Sequence, residues 1–178
     1  VIGGGDQAVG AVGTGTVTEG SMFVSLGTSG VVFAPCSAFA ASSNGGMHMF
    51  RHANGRFHIM GCMLSSAGSM KWWAEEILGS TVGELLDEVE RDSVDDLIFL
   101  PYLMGERSPI NDPNAKGAFY GLNLSHKRKD MTKSVLEGIC FGLKDCYENI
   151  LTMGAHADYA RVIGGGSRSD KWMQILAD

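Results

Sequence analysis

The chain has 178 residues, 44% of them hydrophobic and 19% charged, with a formal net charge of −6. That is enough apolar material for one domain, or one domain plus a piece of another, and it excludes a disordered chain. A single short basic run, His126-Lys127-Arg128-Lys129, makes no nucleic-acid face, and the longest apolar run, VVFAPCSAFAA, is broken by Pro35 and too short to span a bilayer.

The opening stretch, VIGGGDQAVGAVGTG, predicts a strand end, a turn at Gly3-Gly4-Gly5, and a small-residue helix over 6–15. SMFVSLGTSGVVFAP then reads as two β-rich runs around a turn at 27–30, and MHMFRHANGRFHIMG as a second hairpin turning at Asn54-Gly55. Met70, Trp73, Ile77 and Leu78 fall on one helical face within 65–78, which Gly79 stops, and an acidic helix follows from Thr81 to Arg91. LIFLPYL predicts a buried strand halted by Pro101; after a polar loop, GAFYGL predicts a short strand. Asp130 is expected to cap a long helix to about Met153, with Val135, Ile139, Leu143, Tyr147 and Ile150 on one face. Tyr159–Ile163 reads as a strand entering a second glycine turn, and Ser169 as the cap of a last helix. The mixture predicts an α/β fold with a partly antiparallel sheet.

The sequence begins inside a strand and ends inside an amphipathic helix without a closing Gly or Pro, so it is expected to be part of a longer chain. No basic-then-apolar leader opens it, and Cys36, Cys62, Cys140 and Cys146 form no C-x-x-C pair. A reduced, cytoplasmic protein is the expectation.

Three turns share one plan, a β-type run followed by Gly with Ser, Thr or Asp: GGGDQ (3–7), SLGTSG (25–30) and IGGGSRS (163–169). The first and third lead into helix N-termini, where unpaired amides and the dipole attract anions; Thr28 and Ser29 add hydroxyl donors to the second. Each alone reads more readily as a tight corner; three together point to a polyphosphate ligand. A P-loop is excluded because no Gly-Lys pair occurs, and a nucleophile elbow because G-x-S-x-G is absent. The dinucleotide fingerprint fits Gly3–Ala8, yet no Asp or Glu lies between Glu19 and Glu75 to hold a ribose, so a nicotinamide-binding domain is the weaker alternative. His48, His52 and His58 lack a carboxylate or thiol at ligand spacing and read as hairpin packing, and one of Trp72 and Trp73 reads as core. Asp6 is left as either a helix cap or an ionised base able to take a hydroxyl proton during phosphoryl transfer.

The chain resembles the FGGY carbohydrate kinases throughout, most specifically in GAFYGLNLSHKRKDMTKSVLEG (117–138), which fits the family's second pattern at Gly117, Phe119, Gly121, Leu122, Asp130, Met131, Ser134, Val135, Leu136 and Glu137. The resemblance implies an actin-like ATPase, ribonuclease H-like lobe with a mixed sheet flanked by helices. It implies Asp6 as the general base, with Gly5 and Gln7 on the substrate side. Gly27, Thr28, Ser29, Gly165, Gly166 and Asp170 would bind ATP, and the loop 65–69 would lie near the phosphates. Residues 1–20 would end the sugar-side lobe and 21–178 would form a nucleotide-binding lobe truncated at its C-terminal end. No residue is assigned as a metal ligand; Mg2+ is expected to arrive through the ATP phosphates. The form of GGGDQAVGAVG, MHMFRHA and LPYLMGERSP tilts the expected acceptor toward D-xylulose, with ribulose, gluconate or glycerol as alternatives. The expected partners are a sugar and a nucleotide, with neither nucleic acid nor membrane, and a homodimer is left open. A non-catalytic actin-like nucleotide-binding module is the remaining alternative.

Overall fold

The computed structural model describes residues 4–40, 42, 45–90 and 96–178, so Gly3 and Arg91 lie outside the described residues. Alternation of side chains along β1 (Gly20–Leu26) and β2 (Gly30–Cys36) builds the centre of the sheet. Met22, Val24, Leu26, Val32 and Ala34 go to one face; Phe23, Val31 and Phe33 go to the other. The two strands pair antiparallel, and β4 (Phe57–Met63) pairs with β2 in the same sense. β3 (His48–Arg51) closes a hairpin with β4 at one edge, while β7 (Ala157–Ile163) lies parallel to β1 at the other. The order β3-β4-β2-β1-β7 is a mixed sheet, as the mixture of hairpins and helical crossovers predicts.

Helices cover the two faces unequally. α4 (Arg128–Thr152) lays Leu136, Ile139, Leu143, Cys146 and Ile150 across the first face, alongside α2 (Ala67–Trp72), α3 (Val82–Glu88) and α5 (Asp170–Ala177). Each fully buried Leu or Ile there stabilises the fold by about 1.5–3 kcal/mol. Gly138 lets α4 ride close over the chain: a Cβ built on it would stand 2.1 Å from the Phe99 carbonyl oxygen. Trp73 fastens α2 to α4 by donating its indole N–H to Thr132 Oγ1 at 3.0 Å. On the second face α1 (Asp6–Thr14) is the one helix that packs among the described residues, through Ala11 onto Phe23, Val31 and Phe33. His52 and His58 extend that face as packed aromatic rings, His58 stacking on Phe33 with centroids 4.2 Å apart.

Four expectations are corrected. Asp130 does not cap α4: the helix begins after Lys127, and Asp130 sits at its third position, accepting the Lys127 N–H at 2.8 Å. The strand in LIFLPYL, β5 (Ile98–Leu100), buries only Phe99, because it pairs with β6 (Ala118–Tyr120) in a separate two-stranded ribbon with one face open to solvent. The helix over 65–78 loosens beyond Trp72 into a π-helical turn, Trp73–Ile77, closed by Leu78 N–H on the Trp73 carbonyl. The last strand starts two residues earlier than Tyr159. Thr81 caps α3 reciprocally with Glu84, and Ser169 caps α5 by accepting the Trp172 N–H.

Candidate active site

Because β1 and β7 are parallel neighbours, paired up to Ser25–Ile163, both chains leave the sheet at the same end. The turn after β1 carries Gly27, Thr28 and Ser29; the turn after β7 runs through Gly164 into a short 3-10 turn, Gly165–Arg168. Gly164 has φ +92°, and a Cβ on it would stand 2.6 Å from the Leu26 carbonyl oxygen, so only glycine lets the two turns touch. A third segment, the link from β4 into α2, closes the arrangement. Ser66 and Gly68 donate their amides to the Thr28 carbonyl at 2.9 and 3.1 Å, and Ala67 donates to Gly27 at 2.9 Å.

Between these segments lies a cleft of about 670 Å³, with Gly27 and Thr28 on one wall, Gly165 and Gly166 on another, and Met70 and Trp172 beneath. Two cations line it. Lys71 is 3.6 Å from Glu75, whereas Arg168 makes no ion pair among the described residues. A cleft lined by two glycine turns and by a guanidinium with no ion pair among the described residues suits an anionic, phosphate-bearing ligand. Two other depressions, between α4 and α5 and beside β7, lack such turns.

The structure therefore brings Gly27, Thr28, Gly165 and Gly166 together. Ser29 and Asp170 are exposed next to lining residues and do not line the cleft themselves. Asp6 lies at the same end of the sheet, on the side of α1. The C-terminal end of α1 is tied to the opposite end, where Asn54 of the β3–β4 hairpin donates to the Val17 carbonyl at 2.6 Å, while Gly10 packs by Ile163. The start of α1 thus points toward the glycine turns. Gly5, not Asp6, is the cap residue; the Asp6 carboxylate is exposed and accepts only the N–H of Gln7, at 2.9 Å, among the described residues. Of the two readings the sequence left open for Asp6, the cap is the one this geometry disfavours. Arg168 lies within the IGGGSRS turn without having been given a role there, and Lys71 belongs to no motif; the signal for each is a basic residue two positions past Gly166 and three past Gly68.

This sheet, with helices on both faces and a cleft at one end, is the actin-like ATPase fold of sugar kinases. The chain belongs to the FGGY family of carbohydrate kinases, whose C-terminal domain matches residues 22–178. It is 41% identical to a xylulose kinase of Escherichia coli strain K12 over the whole chain, which corresponds to 37% of that protein. A solved structure described as a xyloylose kinase, from Brucella ovis, superposes with a TM-score of 0.92 at 39% identity, over 98% of this chain and 37% of that one. A gluconokinase of Bacillus licheniformis is 28% identical over the whole chain, again 37% of its own length. The chain thus spans little more than a third of the relatives it matches. Among the described residues no helix is long and apolar enough to cross a membrane.

Proposed function

We propose that the full-length protein carrying this chain transfers the γ-phosphoryl group of ATP to D-xylulose, forming D-xylulose 5-phosphate and ADP. In this reading residues 21–178 are the nucleotide side of the site, and residues 1–20 end the sugar-side lobe and bring the base. One observation carries it: the Gly27–Thr28 and Gly165–Gly166 turns converge on one cleft, at the sheet end toward which Asp6 points. The family match starting at residue 22 supports the division, and the identity to xylulose kinases supports the acceptor.

Phosphoryl transfer passes through a loose transition state, so positioning and charge stabilisation dominate. The glycine turns offer backbone amides at close approach, with Thr28 and Ser29 hydroxyls beside them, and Arg168 adds charge. Asp170, at the start of α5 and next to the lining Ser169, is assigned to the nucleoside. The Asp6 carboxylate, bound among the described residues only by its neighbour's amide, is placed to accept the acceptor hydroxyl proton. Gly5 and Gln7 flank it on the substrate side. Glu75 is the only carboxylate lining the cleft among the described residues and is held by Lys71, so the cleft does not fit direct metal ligation. Mg2+ is assigned to the ATP phosphates, where it would neutralise charge. A cytoplasmic setting, with a sugar and a nucleotide as partners, goes with this reading.

The similarity to a gluconokinase favours a second reading, in which the same machinery serves another sugar or polyol, such as ribulose, gluconate or glycerol. ADP release by the full-length protein, measured with MgATP and D-xylulose, L-ribulose, D-gluconate or glycerol, tests both. Turnover dominated by D-xylulose is expected. Preference for another acceptor would overturn the substrate, and no sugar-dependent release would overturn the kinase reading.

A further inference from the structure

Behind the cleft, residues 105–112 form a loop braced against itself and against the end of β4. Glu106 N–H donates to the Asp112 carbonyl at 2.8 Å and Asn111 N–H to the Arg107 carbonyl at 2.7 Å. Ser108 donates its hydroxyl to the Gly46 carbonyl, and the Arg107 guanidinium lies on the Cys62 sulfur. At the centre is Glu106, only 2% exposed. Its Oε1 accepts two backbone amides, Leu64 N–H at 2.9 Å and Arg107 N–H at 2.8 Å, while its Oε2 is buried without a hydrogen-bond partner among the described residues.

A buried carboxylate with one unpartnered oxygen is costly, and burial pushes the Glu106 carboxyl above its ordinary range. An apolar side chain would avoid that cost but could not hold the Leu64 amide. What Leu64 leads into gives the carboxylate its purpose: two residues later, Ser66, Ala67 and Gly68 hold the Gly27 and Thr28 carbonyls through their own amides. The order of connection is Glu106, Leu64, the 66–68 backbone, then the Gly27–Thr28 wall of the cleft.

We propose that Glu106 is a positioning residue for the nucleotide: its carboxylate fixes Leu64 and thereby the 66–68 backbone that sets the Gly27–Thr28 turn. The inference rests on the reading of this cleft as a nucleotide site. Glu106 touches no reacting group, so its removal weakens nucleotide binding and leaves the chemical step near its original rate.

The test compares Glu106→Ala and Glu106→Gln in the full-length protein. Glutamine keeps a carbonyl oxygen able to accept both amides; alanine keeps none. Glu106→Ala should raise KM for MgATP by about tenfold, the size of one lost charge-assisted hydrogen bond, with kcat changed by less than about threefold. Glu106→Gln should restore KM to within about twofold. Hydrogen exchange at Leu64 and at 66–68 should quicken in the alanine variant and stay slow in the glutamine variant. A folded alanine variant with unchanged KM, or one that loses kcat at constant KM, would overturn the proposal. If alanine does not fold, Glu106→Asp, one methylene too short to reach both amides, takes its place with the same expected rise in KM. Wild-type protein that binds ADP but phosphorylates no sugar would overturn the kinase reading alone, because the ADP affinities of the variants still report on Glu106.

Discussion

The two faces of the sheet are built to different standards. The face under α4 is filled by long aliphatic side chains from four helices and three strands, with Leu136, Ile139 and Leu143 almost fully shielded from water. The face under α1 holds a small cluster of Phe23, Val31, Phe33 and Ala11, and α1 turns Val9 and Val12 outward, each 52% exposed. The carboxylate proposed as the base stands at the head of the thinly packed helix, while the proposed nucleotide turns grow from strands anchored in the thick core. Stability and proton transfer are thus assigned to opposite sides of one sheet, so a substitution can strike one without the other.

The sharpest break is expected at Asp6. Asp6→Asn removes the proton acceptor but leaves the helix start, and sugar phosphorylation by the full-length protein should fall by about 10²–10⁴-fold while ADP affinity, measured by calorimetry, stays unchanged. On the thick face, Leu136→Ala should destabilise folding by about 2–5 kcal/mol, read from denaturant midpoints, through the cavity it leaves. A chemical asymmetry comes next. Burial against Phe33 holds the His58 imidazole down to about 4, so the folded state resists its protonation and the unfolded state does not. Stability should therefore be full above pH 6.5 and fall as pH drops from 6.5 to 4, by on the order of 3 kcal/mol. Burial lowers His48 and His52 in the same sense, whereas the raised Glu106 carboxyl works against the trend. Thermal melts of wild type and His58→Leu across that range should show a shallower acid slope in the variant. The smallest effect is expected at the outward side of α1, where Val12→Ala should shift stability by no more than about 0.5 kcal/mol.

Much of this division was legible in the sequence, because hairpins and amphipathic helices obey local rules. Asn54-Gly55 turned where such a pair should turn, with Gly55 at φ +83°, and the spacing of Val135, Ile139, Leu143 and Ile150 marked the buried stripe of α4. What was not legible depended on distant neighbours. Whether LIFLPYL was buried on one face or two depended on which strand it would join, and β6 lies about twenty residues further on. Asp130 suited a cap by residue type, but the reciprocal pairing with the Lys127 backbone moved the helix start three residues earlier. Of the candidate site, the glycine turns were visible as composition and their convergence was not: Gly27 and Gly165 are brought together only by the parallel pairing of β1 with β7. Lys71 and Arg168 gave no local sign of a role, since the cleft they line is assembled from turns far apart in the chain, and Glu106 acquires its meaning from the Leu64 amide 42 residues earlier.

Gly164 carries one more implication. With its backbone against the Leu26 carbonyl and the Gly27 amide nitrogen, the two turns are packed main chain on main chain, one jaw rather than two separate fingers. Because the 66–68 backbone is itself tied to Gly27 and Thr28, adjustment within this cleft falls to the side chains that line it, such as Lys71 and Arg168. Attempts to retune which nucleotide enters should therefore begin at those positions, where the scaffold can yield without being taken apart.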